Sequence, residues 1–167
     1  NNGNFVYGNG LAYRNIYRDL IYPMPNKGSS NVVSHDVWIS LVLSLTGAYG
    51  IAVPKTCYSY RQHSQQVVGA LMKNALNQDV ILGQRVAWIA LYQALLDRTN
   101  NAVCDIDSKC QIREKIRHLK ARVEISSGRF SRRLVLVSRE LITFRYFRFS
   151  SGIRSAFKDL FLGAPNQ

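Results

Sequence analysis

Apolar and polar positions alternate along this chain with two different periods. Residues 4–14, NFVYGNGLAYR, mix aromatic and β-branched side chains with glycine. That pattern predicts a strand ended or interrupted by a Gly turn, with Gly8 and Gly10 free to take positive φ or let backbone approach a ligand. Asn15 is placed to cap a short helical piece, NIYRDLI, which Pro23 and Pro25 end. Residues 26–34 form a polar loop rich in Gly, Ser and Asn. Ser34 then stands at an N-cap, and Trp38, Leu41, Val42 and Leu45 fall on one face of the helix that follows. Gly47 predicts its stop. YGIAV at 49–53 reads as a short buried strand that Pro54 breaks, and TCYSYR alternates in strand fashion.

Beyond residue 73 the period becomes helical. Residues 80–97 place Val80, Ile81, Val86, Ile89, Tyr92 and Leu96 at spacings that fit one buried face, and NNAVCDIDSK makes a polar break. Residues 109–125 carry an apolar stripe of Ile112, Ile116, Leu119 and Val123, with Arg113, Lys115, Arg117, Lys120 and Arg122 off it. SSG at 126–128 predicts the end of that helix. Residues 130–148 predict another, and GIRSAFKDLF at 152–161 a last amphipathic one.

Length and composition bound this picture without changing it. A chain of 167 residues, 47% apolar, suits one ordinary domain with a real core, and no stretch is long and apolar enough to predict a membrane span. The start, NNGNFVYGNG, has neither the basic region nor the apolar run of a signal peptide, and it lacks Met. Cys57, Cys104 and Cys110 form no C-x-x-C pair and read as thiols in a reducing compartment. Charge does change the picture. Residues 1–108 hold 8 basic and 6 acidic side chains, whereas residues 109–167 hold 14 and 4, so most of the net +12 sits in the last third. Such a segment suits a polyanion, an anionic lipid surface or a phosphate-bearing ligand, or is simply a solvated basic face.

The candidate chemistry lies between two histidines. His35-Asp36 opens the helix at 35–45, and Arg61-Gln62-His63 stands where the third predicted strand, TCYSYR, runs out into a loop. Asp36 either complements the helix dipole or, aimed into a cleft from a rigid element, accepts a proton from a substrate hydroxyl. Arg61 and His63 suit phosphate or metal, at a strand end where function and plain surface are both open readings. Interleaved basic and aromatic residues such as Phe130, Phe144, Phe147 and Phe157 could grip a membrane surface or nucleic acid, or belong to a core. No helix-turn-helix, RNA-binding sheet or zinc signature supports nucleic acid.

Taken as a set, GNGLAYRN at 8–15, P-M-P at 23–25, HDVW at 35–38 and YRQHSQQVVGA at 60–70 resemble family 2 glycosyltransferases of the GT-A fold, in the flavour of bacterial rhamnosyltransferase-like enzymes. The likeness covers about residues 4–70. It implies an α/β fold: a partial GT-A-type mixed α/β layer over residues 1–72 that carries the acceptor side, followed by a basic helical extension over residues 73–167. It also implies inverting transfer of a sugar from a nucleotide-diphosphate sugar to a saccharide or lipid-linked acceptor, in surface polysaccharide synthesis at the cytoplasmic face of the plasma membrane. Asp36 matches the general base, and Arg61 and His63 match the donor pyrophosphate side, with His63 also the metal position for Mg or Mn. Gly8, Asn9, Gly10, His35 and Trp38 match the acceptor and sugar side.

The departures are specific. The chain has no Asp-x-Asp motif at the expected place, only Asp105-Ile106-Asp107 in a polar linker, and no N-terminal βαβ half for the nucleotide. Ile39 stands where the family has a second Trp, and Gln66 where it has Asn. These point to the C-terminal part of a longer transferase, inactive alone, with an exposed sheet edge that leaves room for a homodimer. The alternative reading is a non-catalytic basic module that binds an anionic membrane surface or an acidic partner through Arg132, Arg133, Arg145 and Arg148.

Overall fold

The computed structural model describes residues 10–25, 34–51, 53, 55, 59, 78–100 and 106–161. Every element among them is helical. A 3-10 turn, Asn15–Tyr17, runs into α1, Arg18–Ile21. The others are α2 (His35–Leu45), α3 (Gln78–Arg98), α4 (Ile106–Ser127), α5 (Phe130–Ile142), α6 (Arg145–Phe149) and α7 (Ile153–Phe161).

The expected α/β layer is therefore corrected: among the described residues there is no strand. YGIAV was the clearest strand by pattern, yet Tyr49, Ile51 and Val53 are 85%, 81% and 66% exposed. An apolar alternation becomes a strand only where a neighbouring strand and a covering layer receive it. Among the described residues nothing does so here. The sheet-edge argument for a homodimer falls with the sheet. Residues 10–14, the described end of the first predicted strand, are also irregular, and TCYSYR lies outside the described residues apart from Ser59.

The helices follow the period they were read from, with local exceptions. Ser34 is the N-cap of α2 by position, but its side chain makes no capping bond; Asp36 supplies the acidic first turn. The N-cap position of the first turn is Arg14, not Asn15, and its side chain makes no capping bond. Gly47 ends α2 at φ +72, a value a Cβ would oppose. The core face of α3 is Leu91, Tyr92 and Leu95, with Trp88 stacked on Tyr92, whereas Val80 and Val86 are exposed. The predicted helix over 130–148 is two helices. Phe144, in the left-handed region at φ 56, turns the chain between α5 and α6.

Two cores result, and α4 runs through both. In the first, Trp38, Val42 and Leu45 of α2 meet Ile21, Leu91, Leu95 and Ile116, with Leu11, Tyr13 and Met24 packed around them. In the second, Ile125 from the far end of α4 meets Val137, Tyr146 and Ala156 of α5, α6 and α7. α3 and α4 form the most extensive helix pair, and α5 to α7 wrap the end of α4. No helix among the described residues is long and apolar enough to cross a membrane.

Candidate functional site

Backbone carbonyls at the end of α1 and just after it are held by side chains from α2 and α3. The Trp38 indole Nε1 donates to the Ile21 carbonyl at 2.8 Å, and Trp38 is 1% exposed. Arg98, at the end of α3, donates from Nη1 to the Tyr22 carbonyl at 2.9 Å and from Nη2 to the Pro23 carbonyl at 2.5 Å. Residues 21–23, which lead into P-M-P, are thereby fastened to two helices, and the Tyr22–Pro23 peptide is cis. Burying an indole N–H is tolerable only with an acceptor. The carbonyls freed at the end of α1 supply it.

Of the residues the sequence singles out, four are described. Gly10 and His35 are exposed, Asp36 is half-buried in the first turn of α2, and Trp38 is inside the core. Asp36 Oδ1 accepts the Val37 amide at 3.0 Å, and Asp36 forms no ion pair among the described residues. Asp36 and Trp38 share α2, and Trp38 packs in one core with Leu11 and Tyr13 of the segment that follows Gly10. Trp38 serves there as packing and as a donor to backbone, not as an exposed ring. Gly8, Asn9, Arg61 and His63 lie outside the described residues. Among the described residues no three His, Cys, Asp or Glu side chains gather in one place, and His63, the expected Mg or Mn ligand, lies outside them.

A second polar cluster, at the waist between the two cores, is absent from the sequence reading. Asp159 of α7 is 6% exposed and accepts from Arg85 Nη2 at 2.6 Å, Arg122 Nε at 2.5 Å and the Tyr146 hydroxyl at 3.0 Å. Burial resists its charge, but the hydrogen bonds and charges of Arg122 and Arg85 outweigh that and hold the carboxyl below the usual carboxylate range. Arg85 also donates to the Arg122 carbonyl at 2.9 Å. Three helices distant in sequence thus share one carboxylate.

Beside it lies a hydroxyl–imidazole–carboxylate chain. His118 is 1% exposed; its Nδ1 is 2.7 Å from Glu140 Oε2 and its Nε2 is 2.9 Å from Ser150 Oγ. Burial pushes His118 below its ordinary value against the pull of Glu140, so the ring is neutral at pH 7. A neutral ring donates from Nδ1 to Glu140 and accepts the Ser150 proton at Nε2, and Arg122 Nη1 donates to Ser150 Oγ at 3.0 Å. Arg145 closes the set, donating to Glu140 at 2.9 Å and Glu114 at 2.8 Å. Every acceptor here is used, and the serine oxygen carries a guanidinium. The chain fastens α4, α5 and the end of α6 to one another.

Sequence spacing held one signal of this cluster: Glu140 and Asp159 are the acids within 129–161, amid eight basic residues. Acids that few, on helices that apolar, are the ones a core can recruit. Compared with protein families, curated proteins and solved structures, the chain has no match in any of the three.

Proposed function

We propose that this chain belongs to an inverting glycosyltransferase of family 2 type, acting on a nucleotide-diphosphate sugar and a saccharide or lipid-linked acceptor at the cytoplasmic membrane face. The observation that carries the reading is the ordered set GNGLAYRN, P-M-P, HDVW and YRQHSQQVVGA over residues 8–70. Its support in the fold is that the described parts of the first three segments pack on one another, through Trp38 and the Ile21 carbonyl.

Asp36 is the general base in this reading. Its carboxylate takes the proton of the acceptor hydroxyl as that oxygen attacks the anomeric carbon, and the diphosphate departs from the opposite face. A base needs a fixed position and an unpaired charge. α2 supplies the first, because Trp38 anchors it two residues on, and Asp36 has no cationic partner among the described residues. Arg61 and His63 match the side that offsets the leaving diphosphate's charge.

The test is sugar transfer from labelled nucleotide-diphosphate sugars by the protein as its host cells make it, with Asp36→Asn alongside. Asn keeps the bond to the Val37 amide and removes the basicity. The expected result is a loss of about 10²–10⁴-fold in kcat with the thermal midpoint unchanged. Transfer that survives Asp36→Asn removes the proposed base, and no transfer from any donor overturns the reading.

A further inference from the structure

The last three helices have an outer face that their inner packing leaves unused. On α7, Ala156 and Asp159 point inward, while Ile153, Phe157 and Phe161 follow one another at four-residue intervals and are 66%, 62% and 54% exposed. On α5, Arg133, Val137 and Glu140 face inward, and Phe130, Leu134, Val135 and Ile142 are exposed. Ring contacts join the two helices: Phe130 lies 6.3 Å from Phe161, which lies 4.4 Å from Phe157. A shallow groove continues along α5 between Leu134, Arg139 and Ile142. Phe144 and Phe147, at the turn and on α6, add two more exposed rings 6.0 Å apart.

Charge on this face has one sign. Both acids within residues 129–161, Glu140 and Asp159, are buried and engaged. Arg129, Arg139, Arg148, Arg154 and Lys158 are exposed and form no ion pair among the described residues, while Arg132 meets Glu124. Two of the four arginines that the sequence offers as surface cations are not on the face. Arg133 is buried with its Nε on the Gly128 carbonyl, and Arg145 is tied to Glu114 and Glu140.

We propose that this face of α5, α6 and α7 docks on an anionic phospholipid bilayer surface. A headgroup layer accepts both halves of the pattern: apolar side chains sink to the acyl boundary, and the flanking cations stay among phosphates. A nucleic acid would use the cations and leave Leu134, Val135, Ile142 and Ile153 without a stacking partner. A second copy would bring like charges together. The helices lie in the interface plane, since none described is apolar and long enough to cross. The proposal stands apart from the transferase reading, because vesicle docking needs neither Asp36 nor a donor.

The experiment is co-sedimentation of the full chain with phosphatidylcholine vesicles that contain or lack phosphatidylglycerol. Binding is expected only with phosphatidylglycerol, and it weakens with salt. Arg154→Gln with Lys158→Gln lowers affinity about fivefold for each charge removed. Phe157→Ser with Phe161→Ser abolishes binding at low salt with the helical circular dichroism intact. Should the α7 variants lose structure, Val135→Ser with Ile142→Ser on α5 tests the same face. Equal binding to neutral vesicles, no binding to anionic ones, or unchanged binding by the Phe variant overturns the proposal. So does a solution dimer that the Phe variant dissolves, or a preference for duplex DNA over vesicles.

Discussion

The buried ionisable residues set how this protein responds to acid. His118 and Asp159 both have folded values below their ordinary ones, for opposite reasons: burial keeps His118 neutral, whereas Arg122 and Arg85 keep Asp159 charged. In both cases the unfolded chain binds a proton more readily than the fold does, so stability falls as pH falls. For His118 the loss begins below about pH 6.5, where the unfolded imidazole charges and the buried one resists. For Asp159 it begins below about pH 4 and continues through the lower folded value. The urea midpoint is therefore expected to be level between about pH 7 and 9 and to decline in two stages below that. His118→Gln, which keeps a donor and an acceptor, flattens the first stage and leaves the second. A midpoint of that variant that still declines between pH 6.5 and 5 would assign the first stage elsewhere.

Helix positions were legible because a 3.6-residue apolar period survives any tertiary context that gives it one partner face, as α2 and α4 show. The strand at 49–53 was not, because alternation states a propensity and the partner decides. Nor was the inward turn of Arg122. It falls off the apolar stripe of α4 with Lys120, and only the distant Asp159 distinguishes the two. Of the candidate site, Asp36 was readable as a first-turn carboxylate and Trp38 as part of the packed face of α2, while its partners Ile21 and Leu91 were not, because helical spacing does not name a helix's neighbours. The break between α5 and α6 was missed because Phe144 is an unusual residue for a left-handed turn: φ 56 crowds its Cβ. Gly152, at φ 59, makes the corresponding turn into α7 without that cost, and a Cβ there would meet the Phe147 ring at 3.0 Å. Replacing Phe144 by Ala and by Gly separates backbone from side chain. Both lose an exposed ring, and only Gly relieves the turn. Phe144→Gly is expected to be more stable than Phe144→Ala by about 1 kcal/mol in chemical denaturation. Equal stabilities would mean the turn carries no strain.

At the scale of the molecule the question is whether two cores make one cooperative unit. α4 places Ile116 in the first core and Ile125 in the second, and Asp159 clamps α7 to α3 and α4 across the waist. Opening the second core alone would expose Ile125 and Tyr146 and strip Arg85 and Arg122 of their shared carboxylate. Leaving buried charges unpaired costs about 3–5 kcal/mol. That cost opposes opening either half alone, so the cores are expected to melt together. Both tryptophans, Trp38 and Trp88, belong to the first core, so fluorescence reports that core while far-ultraviolet dichroism reports every helix. Ile125→Ala lies wholly in the second core, at 1% exposure, and removes about 2–4 kcal/mol of packing. In a two-state molecule it lowers the tryptophan midpoint and the dichroism midpoint by the same amount, although the nearest indole sits in the other core. A dichroism midpoint that moves while the tryptophan midpoint stays would show that α4 and the Asp159 clamp join two independently melting halves.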